Sequence, residues 1–147
     1  MRISLLIVSV LLIFPSWFFL IQAQDIELYE QFNGRYDFIA IGNTMNLQEN
    51  GIGVPCQILT SSDATLGLSA SQTVVAAYLY WAGSGNGDFQ VELNGTPITA
   101  DRTFNDAIDA QRVFFAAFKN VTSLLQNTGN GVYTLSELDL TNVIPPY

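Results

Sequence analysis

Thirteen acidic residues and no histidine limit the chemistry open to this chain of 147 residues. Without imidazole, the commonest general base, nucleophile partner and transition-metal ligand is missing. A Ser-His-Asp or Cys-His arrangement is impossible, and the single cysteine, Cys56, cannot build a thiolate metal site. Two carboxylates could serve a glycosidase, but nothing in the acidic spacing selects a pair, and the expectation is a protein that is not an enzyme. The densest oxygen set is "DRTFNDAID", which brings Asp101, Asn105, Asp106 and Asp109 into nine residues, while "GNGD" adds Asn86 and Asp88. Calcium takes about six to eight oxygens from side chains and loop carbonyls together. Neither stretch has EF-hand spacing, so a solvated acidic loop is the first reading. The alternative is a structural calcium site pinning the loop before the strand that begins at Arg112.

Aromatic rings supply the other chemistry. In "VVAAYLYWAGSG", Val75, Ala77, Leu79 and Trp81 alternate with Val74, Ala76, Tyr78 and Tyr80. The first set reads as a core face. The second is either covered by a neighbouring segment or left wet as a platform on which Tyr78 and Tyr80 stack against sugars. Buried aromatics dominate cores, so core is the default and the platform is the alternative.

The elements that must position these residues are strands. Short apolar runs are separated by turn signals at Asn33-Gly34, Glu49 to Gly53, Gly83 to Asp88, Asn94-Gly95 and Asn127 to Gly131. Such spacing predicts an all-β fold, an antiparallel β-sandwich of jelly-roll or Ig-like type. "DFQVELNGTPITA" is the clearest hairpin: Asn94-Gly95 suits a type I′ turn, in which both positions take positive φ. Leu93 then faces Thr96, Val91 faces Ile98 and Phe89 faces Ala100. Pro97 falls at a non-hydrogen-bonded position, so residues 96–100 read as a sheet edge. "VFFAAF" is apolar on both faces and predicts a strand buried on both sides, after which Asn120 can cap a short helical turn through Leu125. In "GVYTLSELDL" the apolar phase slips between Leu135 and Leu138, which predicts a bulge near Ser136-Glu137. Tyr36–Ile41 and Cys56–Thr60 read as further strands, with Leu66 and Leu68 leading into the strand of "AAYLYWAGSG", Ala76 to Gly85. The sequons at Asn94 and Asn120 are explained by the turn and the cap.

The first 23 residues differ from the rest. Arg2 precedes the uncharged run "ISLLIVSVLLIFPSWFFLI", and Ala23 offers a small residue for cleavage. The pattern is that of a secretory signal peptide over residues 1–23, leaving one domain over residues 24–147 and no membrane span after cleavage. An uncleaved anchor is the competing reading, because the run is long enough to cross a bilayer. The remaining chain has four basic residues against 13 acidic ones, hence a net charge of −9. Such a surface repels phosphate backbones, which excludes nucleic acid as a partner. An odd cysteine in an exported chain has a free thiol or a partner elsewhere. Because "TNVIPPY" stops after a strand-like run, the expectation is an N-terminal piece of a longer protein, with Cys56 paired to a cysteine beyond Tyr147.

Three stretches carry a resemblance: "QFNGRYDFIAIGNTMN", "TVVAAYLYWAGSGNGDFQVELNGTPITADRTF" and "FFAAFKNVTSLLQNTGNGVYTLSELDL". They resemble the N-terminal region of large flavobacterial (Bacteroidetes) cell-surface proteins, adhesin-like chains exported by type IX secretion and linked to gliding motility. The resemblance spans nearly the whole of residues 24–147 but assigns no activity to any residue. The sorting tail of such proteins is missing here, and their pattern continues past "PPY" into further strands. The resemblance implies a non-enzymatic module at the cell surface or outside the cell, contacting a glycan or protein surface, with further domains in the same chain. A carbohydrate-binding module of a larger secreted enzyme is the alternative.

Overall fold

A computed structural model describes residues 28–49, 53, 57–110 and 112–140. The signal-peptide segment and Cys56 lie outside the described residues, as does the start of the expected strand Cys56–Thr60. The chain divides into two units, residues 1–38 and 39–147. The described part of the first holds no strand or helix, only a bend after Asn33 and a ring contact between Phe32 and Tyr36 at 5.7 Å.

The second unit carries the fold. Its described strands are β1 (Ser61–Leu66), β2 (Tyr78–Ser84), β3 (Gln90–Leu93), β4 (Thr96–Thr99), β5 (Arg102–Ala107), β6 (Val113–Asn120) and β7 (Gly131–Ser136), with helix α1 (Thr122–Thr128) between β6 and β7. One antiparallel sheet has the order β1-β7-β3-β4 and the other β2-β6-β5. The all-β, sandwich-like fold expected from the turn spacing is therefore present. Among the described residues, no helix is long and apolar enough to cross a membrane.

The core forms where alternate side chains of the two sheets meet: Val91, Leu93, Ile98, Leu66 and Tyr133 from the first, Trp81, Phe115 and Ala117 from the second. Burying each large apolar side chain stabilises the fold by about 1.5–3 kcal/mol. Phe115 meets Phe89 edge-on at 5.9 Å. The Tyr133 hydroxyl donates to the Gly129 carbonyl at 2.6 Å, which satisfies the one polar atom this ring brings inside.

The β3–β4 hairpin has the expected register, Leu93 opposite Thr96 and Val91 opposite Ile98, with Asn94 and Gly95 at φ 52° and 71°. The Ala100 N–H donates to the Phe89 carbonyl, and β4 lies at the sheet edge as Pro97 requires.

Five local expectations need correction. Tyr36–Ile41 forms no strand, because no described segment offers it a ladder. Leu66 is the end of a strand rather than a lead-in: "SSDATL" becomes β1 by pairing with β7 from Ser61↔Ser136 to Leu66↔Gly131. The supposed acidic loop is instead strand β5, exposed along its whole length yet paired with β6 from Arg102↔Phe118 to Ala107↔Val113. The helix starts at Thr122 with Val121 at the N-cap position, one residue later than a cap at Asn120 implies, and runs on to Thr128; the Asn120 side chain accepts the Thr122 N–H at 3.0 Å. Finally, the phase slip after β7 is made at the end of the strand by Glu137 at φ 61°, which returns Leu138 and Leu140 to the core.

Candidate functional site: the outer face of the three-stranded sheet

Register decides which side chains share the outer face of β2-β6-β5. Tyr80 pairs with Phe118, and Phe118 with Arg102. One step along, Ala82 pairs with Ala116 and Ala116 with Phe104. The next row is Ser84, Phe114 and Asp106. The result is a surface with aromatic rings at both ends, small alanines between them, and Arg102, Asp106 and Ser84 as polar handles.

β2 separates its faces sharply. Trp81 is 5% exposed, and its indole N–H donates to the Asp88 carbonyl at 2.8 Å. Its neighbour Tyr80 is 69% exposed. Tyr78 is half-buried on the outer side. Both tyrosines flank Phe118, with ring centroids at 5.6 Å for Tyr78 and 5.1 Å for Tyr80. The Arg102 guanidinium lies 5.9 Å from the centre of the same ring, a contact worth about 0.5–1 kcal/mol at an exposed site. Phe118 itself is 4% exposed. This corrects the expectation that β6 is buried on both sides, because Phe114 on the same face keeps 40% exposure and Phe104 beside it 42%.

Of the two readings for Tyr78 and Tyr80, neither ring belongs to the core cluster. Phe104, Phe114, Phe118 and Arg102 were not identified from sequence as companions of these tyrosines. The parity of "FFAAF" puts Phe114 and Phe118 together, but only cross-strand register brings them beside Tyr80.

The candidate calcium ligands are spread along β5 and its flanks. The Asp101 carboxylate accepts from Lys119 Nζ at 2.6 Å and from the Asn120 N–H at 3.1 Å. The Lys119 hydrogen bond, and then that from Asn120, hold its pKa below the usual aspartate value. Asn105 donates to the Asn86 carbonyl at 3.0 Å, and Asp106 accepts the Ala107 N–H at 2.8 Å. Asp109 receives the Arg112 backbone N–H and guanidinium, closing the β5–β6 turn. An extended strand rises about 3.3 Å per residue, so β5 separates Asp101 from Asp106 and Asp109. Among the described residues, no three His, Cys, Asp or Glu side chains are grouped to hold a metal ion. Asp88 also works as a tether: it accepts the Gln90 N–H at 2.9 Å and the Asp139 N–H at 2.8 Å.

Comparison with protein-family models, characterised proteins and solved structures finds no match to this chain.

Proposed function

We propose that the chain is a non-enzymatic, extracellular contact module of an adhesin-like surface protein, and that it makes contact through the outer face of β2-β6-β5. The observation that carries this reading is the exposed aromatic surface around Tyr80, built on a rigid sheet and supplied with polar handles. Contiguous apolar surface rimmed by polar groups marks interaction sites on soluble domains. Export is supported by the signal-peptide pattern of residues 1–23. Attachment at a cell surface, type IX export and a part in gliding motility are supported by the resemblance of the three stretches named above. The absence of histidine supports a binding role over a catalytic one.

The second reading is a carbohydrate-binding module of a larger secreted enzyme, using Tyr78 and Tyr80. It is favoured by the high exposure of the Tyr80 ring, whose face is available for stacking. The purified protein on a glycan array, beside adhesion of protein-coated beads to protein and glycan surfaces, tests both. Tyr80→Ala and Phe104→Ala are expected to abolish capture with unchanged thermal unfolding. Capture that survives both substitutions overturns the assignment of this face.

A further inference from the structure

The strongest mismatch between local sequence and tertiary structure is at Tyr36–Ile41, a strand-forming run that has no ladder. Phe38 is 87% exposed, and Tyr36, Ile39 and Ile41 are also exposed. Its apolar side chains occur on both alternating sets, Tyr36, Phe38 and Ala40 on one and Ile39 and Ile41 on the other. A strand with that pattern is stable when both of its faces are covered.

β2 offers the complementary feature. Among the described residues it is an edge of its sheet. The bonds Val121 N–H to Ala77 carbonyl and Gly85 N–H to Val113 carbonyl fix the odd-numbered residues of β2 as those bonded to β6. The N–H and C=O groups of Tyr80, Ala82 and Ser84 therefore point away from the sheet. Beside them runs a groove of about 690 Å³. Trp81, Leu135, Leu138 and Leu140 give it an apolar lining, and Met45 and Ile58 stand among its walls. The edge spans seven residues, about 24 Å, and the unpaired run six, about 20 Å.

We propose that the open edge of β2 accepts residues 36–41 of a second copy of this chain as an added strand. One side of that strand then covers the apolar groove, and the other extends the aromatic outer face. A second copy carries the same exposed run and the same unpaired edge, so two chains can each supply a strand to the other. Main-chain hydrogen bonds give such additions their affinity, and the alternating side chains give them specificity. The proposal uses the edge of β2 rather than its outer face, so it stands apart from the contact role above.

Sedimentation of the purified protein over a dilution series tests it. The expected result is a dimer that dissociates on dilution and tightens with added salt, since two strongly acidic chains repel. Phe38→Asp is expected to weaken the dimer by about tenfold or more. Ala82→Pro removes only an outward N–H and is expected to do the same. Mixing the two variants restores a complex, because one keeps the edge and the other keeps the strand. Should Ala82→Pro fail to fold, a synthetic peptide of residues 35–42 bound to the Phe38→Asp protein replaces it. N-methylation of one alternate set of its amides must then abolish binding, while the other set leaves it intact. A chain monomeric at every concentration, a dimer indifferent to Phe38→Asp, or equal binding of both methylated peptides overturns the proposal. Phe104→Ala, on the outer face but away from the β2 edge, leaves the dimer in place, which separates this failure from that of the contact face.

Discussion

Asp101 is exposed yet tied to Lys119 and to the backbone of Asn120, and those bonds favour its charged form. A carboxyl whose folded pKa is depressed contributes stability above its unfolded value, about 3.9, and loses it as pH falls through the lower folded value. Asp101→Asn should therefore lower the urea midpoint at neutral pH, and the gap to wild type should close in that acid window. Gly87 has a different constraint. Its φ is 92°, and an added Cβ would lie 2.7 Å from Phe115 Cγ and 2.8 Å from Phe89 Cζ. Gly87→Ala should destabilise by about 2–4 kcal/mol, combining positive-φ strain with overpacking. Denaturant unfolding measures it. At Trp81 and Tyr80, adjacent residues have opposite fates: Trp81→Ala should cost about 3–5 kcal/mol, and Tyr80→Ala far less.

Strand pairing depends on a few positions whose work is invisible in composition. β3 and β7 share only two registered pairs, Glu92↔Ser136 and Leu93↔Leu135. Asn94 extends that ladder from within the hairpin turn. Its N–H donates to the Thr134 carbonyl at 2.9 Å, and its side-chain oxygen accepts the Thr134 N–H at 2.8 Å. Asn94→Gly should preserve the turn while losing the side-chain bonds to Thr134 and Val132, at a cost of about 1 kcal/mol. Asn94→Ala adds the positive-φ strain, so its unfolding midpoint should fall further. Helix α1 is held from outside: the Thr122 hydroxyl accepts the Ala77 N–H at 2.9 Å, and Gln126 Nε2 donates to the Val74 carbonyl at 3.1 Å. The exposed Asp109–Arg112 pair contributes only about 0–1 kcal/mol to the β5–β6 turn.

At the scale of the molecule, the two sheets divide the labour. The four-stranded sheet and the inner face of the other build the core, and the outer face of β2-β6-β5 keeps Tyr80, Phe104 and Phe114 exposed. The dispersal of the oxygen ligands along β5 has a measurable consequence. Adding calcium or a chelator should leave the thermal midpoint unchanged, since no described cluster gathers enough carboxylates to reward binding. A rise of several degrees with calcium would restore a metal to the loops.

The sequence by itself determined the all-β class, the β3–β4 hairpin with its register, and the alternation that sends Trp81 one way and Tyr80 the other. These follow from period-two apolar patterning and from backbone angles that Asn94, Gly95 and Pro97 favour, all of them local causes. Only the tertiary structure decided that "SSDATL" and "RTFNDA" are strands, because weakly apolar segments become strands when a neighbour supplies the ladder. It also decided that Tyr36–Ile41, with the better strand sequence, has none. The aromatic surface was decided the same way: each ring was legible, but its companions come from strands far apart in the chain, and cross-strand register sets them side by side.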